Sequence, residues 1–187
     1  MAAMDEASAQ EGIGSARRRA TRTILAVDDS RTNLHVLAHR LGQLGYLVVL
    51  ADRGAQALEL ISARGFDMVL LDCVMPEVSG LHVLQEIRGA RDTADLPVIM
   101  VTRQDHPEGA VAALQAGADD YLSAPYPFEE LAARIDRTLA RAARMEELKR
   151  SNLALDARIA ARAIELGEVR GELAAARAEL ERCRRSA

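Results

Sequence analysis

Five short apolar runs, each followed by a stretch of helical period, govern what this chain can fold into. The runs are Thr23–Val27, Tyr46–Ala51, Met68–Leu71, Val98–Val101 and Tyr121–Leu122. Segments of helical period lie between them, near residues 31–44, 54–63, 80–89 and 107–116. The runs are rich in Val, Ile and Leu and lack polar alternation, as strands buried on both faces require. Repeated strand–helix alternation predicts an α/β fold with a parallel sheet and right-handed crossovers. In such sheets ligands gather beyond the carboxyl ends of the strands. The chemistry is therefore expected just past each run.

The first run ends in Asp28 and Asp29, the third in Asp72 and the fourth in Thr102. Parallel strands bring these four side chains to one edge of the sheet. Three carboxylates held close together repel one another and are costly to keep ionised. A hard divalent cation relieves that repulsion, and Mg²⁺ bound by one or two carboxylates, waters and a phosphate is the usual solution. A carboxylate beside such an ion can attack a phosphoryl group, because the metal neutralises charge on its oxygens. A hydroxyl at Thr102 can then hydrogen-bond the acquired group. A single Asp before a helix is ordinarily a cap; acids at one strand end after another point to chemistry.

Residues 22–140 resemble the response-regulator receiver domain of bacterial two-component signalling. The resemblance rests on Ile24-Leu25-Ala26-Val27-Asp28-Asp29, on Asp72-Cys73-Val74-Met75-Pro76 with Gly80, on Pro97-Val98-Ile99-Met100-Val101-Thr102, and on Gly117-Ala118-Asp119-Asp120-Tyr121-Leu122. It implies a five-stranded parallel sheet in the order 2-1-3-4-5, the flavodoxin-like arrangement. It also implies that Asp72 accepts the phosphoryl group. Mg²⁺ would be held by Asp28, Asp29, Asp72 and the backbone carbonyl of Val74, with Thr102 and Tyr121 as the switch pair. The implied donor is a histidine kinase or phosphotransfer protein, and the implied role is signalling, not enzymatic.

One departure from the family pattern matters. Receiver domains typically carry Lys and then a cis-linked Pro just after the fifth strand, and here that stretch reads Ser123-Ala124-Pro125-Tyr126-Pro127. The lysine position is Ala124, and the chain's only lysine is Lys149. A missing ammonium removes a charge-assisted contact to the phosphoryl group and a counter-charge for Asp72. Two readings stay open: a receiver that takes up phosphate with altered coupling, or a degenerate one serving as a phosphorylation-independent scaffold or oligomerisation protein. The guanidinium of Arg103, next to Thr102, is one candidate for the lost charge; a solvated surface role is the other.

From Phe128 onward the chain has no Pro, and Ala, Glu, Arg and Leu dominate. One or two helices are expected, continuing to near the end; at ~1.5 Å per residue a single one would run roughly 85 Å, so part of it is expected to project. Within residues 141–187, alternate steps of three and four trace Met145, Leu148, Asn152, Leu155, Ile159, Arg162, Leu166, Val169, Leu173, Ala176, Leu180 and Cys183. That is the seam of a coiled coil, interrupted by Asn152 and Arg162. With Leu148 at position d, Glu165, Glu172 and Glu179 fall at g, and Arg170, Arg177 and Arg184 at the e positions a partner would oppose. These pairs, and Asn at an a position, specify a parallel homodimer through residues 145–183. Leu at several a positions leaves a higher oligomer open.

Composition narrows the alternatives. Aromatics are 3% of residues and Trp is absent, leaving little for stacking on bases, and a net charge of −4 gives no pull towards nucleic acid or an anionic membrane. The basic stretch Arg134 to Arg150 is interrupted by Glu146 and Glu147, and its first half is expected to pack as the last receiver helix. No apolar run approaches membrane-spanning length. Cys73 and Cys183 match no metal or disulfide spacing, which favours a reducing cytosol and a cytoplasmic location. The four histidines, His35, His39, His82 and His106, do not cluster as metal ligands. Residues 1–21, with Arg17, Arg18 and Arg19, read as a disordered arm. No output domain follows the receiver pattern, so the chain is expected to be either part of a longer regulator or one that acts through protein contacts.

Overall fold

The computed structural model describes residues 21–103 and 107–185. The element order is β1 (Thr23–Val27), α1 (Arg31–Gln43), β2 (Leu47–Ala51), α2 (Gly54–Ala63), β3 (Met68–Asp72), α3 (Gly80–Gly89), β4 (Val98–Arg103), α4 (Pro107–Gln115), β5 (Asp120–Ala124) and α5 (Phe128–Arg185). The described residues form two compact units, divided after Thr138.

In the first unit all strand pairings are parallel and the sheet order is β2-β1-β3-β4-β5, as expected. The central strands are the apolar ones. Ile24, Leu25 and Ala26 of β1, Met68, Val69 and Leu71 of β3, and Val98, Ile99 and Met100 of β4 are fully buried. The edge strand β2 departs from the expectation of burial on both faces: Leu47 is 54% exposed. An edge strand has a neighbour on one side only, so helices cover it less completely.

Local chemistry sets the helix starts. Ser30 caps α1 by accepting a hydrogen bond from the Asn33 N–H at 3.4 Å, and Ser79 caps α3 from the His82 N–H at 3.3 Å. Ser30 directly follows the two acids that come after β1, and Ser79 closes the loop that leads from Asp72 to α3. Tyr46, just before β2, is tied to α5 by its hydroxyl, which donates to Asp136 at 2.7 Å.

The opposite edge of the sheet is closed by one side chain. The Arg88 guanidinium donates to the carbonyls of Gly117 (2.8 Å), Leu96 (2.8 Å) and Ala94 (3.2 Å) and to the Asp119 carboxylate (2.9 Å). Asp119 also accepts from the Val98 N–H at 3.0 Å. Its neighbour Asp120 accepts from Arg134 at 2.9 Å and Arg137 at 3.0 Å. The Gly117–Leu122 motif thus has a structural function along most of its length.

The second unit is helical throughout its described residues, within the 58-residue α5. Met145, Leu148, Leu155, Ile159, Leu166, Val169, Leu173 and Leu180 are all exposed. Among the described residues no helix is long and apolar enough to cross a membrane.

Candidate functional site

Three strand ends build the site. Asp28 and Asp29 follow β1, and Asp72 is the last residue of β3, which pairs with β1 along its length. Each carboxylate offers an oxygen, and these three oxygens lie within 4.8 Å of one another. Asp28 is braced on both oxygens: Oδ1 accepts from the Ser30 N–H at 2.7 Å and Oδ2 from the Asn33 side-chain amide at 3.1 Å. Asp29 is exposed and the site opens to solvent on its side. Val74 follows Asp72 in the β3–α3 loop; its N–H makes a long 3.4 Å contact to Asp72 Oδ1.

This donor set fits a hard divalent cation. It is all oxygen, anionic and convergent, which suits Mg²⁺ and disfavours softer metals. A second feature points to an anion beside that cation. Thr102 Oγ1 is buried, with the residue 1% exposed, and has no hydrogen-bond partner among the described residues. A buried hydroxyl left this way costs free energy unless a ligand completes it. The Cys73 thiol lies close enough to feel that hydroxyl but not in hydrogen-bonding geometry. Burial pushes this thiol up to about 11, the Thr102 hydroxyl lowers it and the Asp72 carboxylate raises it further. The thiol stays protonated and unreactive at neutral pH.

Tyr121 stands on β5 in register with Met100, two residues before Thr102 on β4. The pleat therefore puts Tyr121 on the sheet face that Thr102 shares. Tyr121 is half-buried and packs against the main apolar cluster.

Ala124 ends β5, and the Ala124–Pro125 peptide is cis. Where the family pattern has a lysine there is open space. A cavity of about 320 Å³ is lined by Asp28, Asp72 and Thr102 on its polar side and by Ala124, Pro125 and Tyr126 among others. Arg40 also lines it, its guanidinium stacked 4.3 Å over the Phe128 ring. Tyr126 is half-buried; burial first, then the Asp28 and Asp72 carboxylates, hold its phenol above the ordinary range. On the other side of Asp29, Arg31 is tied to Asp52 at 2.8 Å.

The structure thus brings Asp28, Asp29, Asp72 and Thr102 together and sets Tyr121 one strand away. Arg103 and His106, and the arginines at 17–19, lie outside the residues whose side chains are described. Of the other histidines, His35 contacts the Arg31 carbonyl at 2.7 Å and His39 the Gln43 amide at 3.1 Å, each within α1. Three site residues were not picked out from the sequence: Asn33, Arg40 and Tyr126. Asn33 had a signal, because a polar residue three beyond a Ser cap faces back over the strand end. Arg40 and Tyr126 had none, since only tertiary folding carries them to the acids.

Comparison with known proteins agrees with this geometry. The family model for the response regulator receiver domain matches residues 24–136. Response regulator MprA of Mycobacterium leprae (strain TN) is 42% identical over 138 residues, covering 71% of this chain and 60% of that protein. The protein of the same name from Mycobacterium sp. (strain KMS) is 44% identical over 118 residues, covering 63% and 50%. The chain therefore spans only about half to three fifths of these curated relatives. Among solved structures, a putative response regulator from Chloroflexus aurantiacus J-10-fl aligns with TM-score 0.63 and 33% identity, over 65% of this chain and 99% of that one. A CheY-like receiver domain protein from Methanospirillum hungatei JF-1 aligns with TM-score 0.63 and 28% identity, over 67% and 99%.

Fold and site together define a receiver-type signalling module of two-component systems. The chain belongs to the response regulator receiver domain family.

Proposed function

We propose that this chain is a two-component response regulator, without enzymatic activity of its own, that accepts a phosphoryl group on Asp72. The donor is a histidine kinase or phosphotransfer protein. One observation carries this reading: three carboxylate oxygens lie within 4.8 Å of one another, and Asp28 and Asp72 share a cavity wall with the unpartnered Thr102 hydroxyl. In the transfer, an Asp72 carboxylate oxygen forms the new O–P bond. The donor's P–N bond breaks and the imidazole leaves with that electron pair. Asp28, Asp29, Asp72 and the Val74 carbonyl would hold Mg²⁺, which supplies neutralising charge for the phosphoryl oxygens. Thr102 donates its free hydroxyl to the new phosphoryl group. Its movement into the site vacates space on the sheet face that Tyr121 shares, and Tyr121 follows.

The change passes along α5 to a parallel homodimer formed by residues 145–183, and from there to a partner protein or an output domain. The acidic net charge and sparse aromatic content support a protein output over nucleic-acid contact in this chain. The cysteines, one half-buried and one exposed, both unpaired, suit the cytoplasm.

Beryllofluoride with Mg²⁺, titrated by calorimetry, tests the reading, since it mimics an aspartyl phosphate. Saturable binding that disappears in Asp72→Asn is the expected result. The second reading, a phosphorylation-independent scaffold, is favoured by the methyl group at Ala124 where the family carries an ammonium. It is established instead if the wild-type protein binds no beryllofluoride yet remains dimeric.

A further inference from the structure

The heptad seam of α5 is uneven along its length. In a parallel, in-register pair its second half suits a copy of itself. The seam residues Leu166, Val169, Leu173, Ala176, Leu180 and Cys183 carry no charge. Each g residue there meets an opposite charge five positions on in the other helix: Glu165 with Arg170, Glu172 with Arg177 and Glu179 with Arg184. The first half does not suit itself in this way. Asn152 at a and Arg162 at d break the seam, and in a parallel pair each faces its own copy. None of its three g-to-e pairs is opposite in charge. Arg144 would meet Lys149, Ser151 would meet Asp156, and Arg158 would meet Ala163. An exposed charge pair shifts a dimer equilibrium by roughly 1.5- to fivefold. Every such pair occurs twice in a two-fold dimer, so the difference between the halves accumulates.

Side-chain contacts on the helix agree with this division. Arg162 donates to Glu165 at 2.7 Å, which draws its guanidinium towards the g edge and leaves no apolar contact at that d position. Gly167 and Gly171 fall at b and f, off the seam. They lower the helix propensity of the second half, so that half gains more of its order from pairing.

We propose that residues 165–184 are the surface that holds two copies of this chain together, while residues 144–163 form a fork whose arms pair weakly. The inference rests on the parallel homodimer. A change passed along α5 from the receiver reaches the fork before the zipped end. A weakly biased pairing is also the one that a small perturbation can shift.

The test uses the full chain with Cys73→Ala and Cys183→Ser, and a spin label at Ala157→Cys or at Ala178→Cys. Both labelled positions are f, one in each half, so a uniformly paired coil gives the same narrow interspin distance at both. The fork predicts a narrow distribution at 178 and a longer, broader one at 157 by double electron–electron resonance. The double variant Arg162→Leu with Ala163→Glu fills the seam and gives Arg158 an opposite charge. It should narrow the distribution at 157 and tighten the dimer about tenfold by sedimentation equilibrium. Equally narrow distributions at the two positions in the parent protein overturn the proposal, as does a broad one at 178 beside a narrow one at 157. It is also overturned if the double variant leaves both the distance at 157 and the dimer affinity unchanged. A parent protein that sediments as a monomer overturns this proposal together with the homodimer reading beneath it.

Discussion

Gly80 carries no side chain because there is no room for one. A Cβ at this position would run into the Asp72 carbonyl oxygen and lie 3.1 Å from the Cys73 Cα. The first turn of α3 is thereby laid directly on the backbone of the proposed phosphoacceptor, with the Gly80 N–H donating to the Cys73 carbonyl at 3.2 Å. Any larger residue must push the β3–α3 connection aside, and Asp72 moves with it. Gly80→Ala should destabilise the protein by about 1–3 kcal/mol and weaken Mg²⁺ binding, read by chemical denaturation and calorimetry. Gly89→Ala is the matched control. Nothing lies within 4 Å of a Cβ there, so it should be neutral or slightly stabilising, consistent with the better helix propensity of Ala. Equal losses in the two variants would show that the close approach at Gly80 is not responsible.

At the scale of an element, α5 presents a contrast between its beginning and its remainder. Leu131 and Ile135 are fully buried, and Arg134 is bonded to Asp120 and Glu130. From Met145 onward every described seam residue is exposed. An apolar stripe at heptad spacing on an exposed helix is the surface that the proposed homodimer would bury. Arg162, which interrupts the seam, donates to Glu165 at 2.7 Å on its own helix. A polar residue at d can thus keep its head group at the rim while its stem covers the interface. Cys183, exposed and at a d position, reports register directly. In a parallel, in-register pair the two thiols oppose each other. Mild oxidation with copper phenanthroline should give a disulfide-linked dimer on non-reducing electrophoresis, absent in Cys183→Ser. An antiparallel pair would place the thiols at opposite ends and give no cross-linked dimer.

For the molecule as a whole, the two edges of the sheet have opposite characters. At one, Arg88 satisfies three carbonyls and a carboxylate with a single side chain. At the other, three carboxylate oxygens from Asp28, Asp29 and Asp72 lie within 4.8 Å of one another. Oxygens held this close would make the stability of the fold responsive to a divalent cation bound among them. A cation that binds only the folded state at 100 times its Kd adds about 2.7 kcal/mol of stability, which is roughly 10 °C in melting temperature for a protein of this size. A thermal melt in Mg²⁺ against EDTA should show this rise. Asp29→Asn should reduce it, because one of the three oxygens loses its charge. An unchanged melting temperature at saturating Mg²⁺ would count against the cation site.

The order of strands and helices, the acids at successive strand ends, the missing lysine and the heptad stripe were legible in the sequence because each is a local pattern. Side-chain period reports burial, and position relative to a strand end reports where a residue emerges. Even the ends of α2 and α3 fell where the pattern put them. What only the tertiary structure decided are the meetings of residues distant in the chain: Asn33 bracing Asp28, Arg88 reaching Gly117 and Asp119, and Tyr126 lining one cavity with Asp28 and Asp72. Nothing local fixes these. Strand register and crossover packing set the distances between such residues, and those exist only once the sheet is assembled.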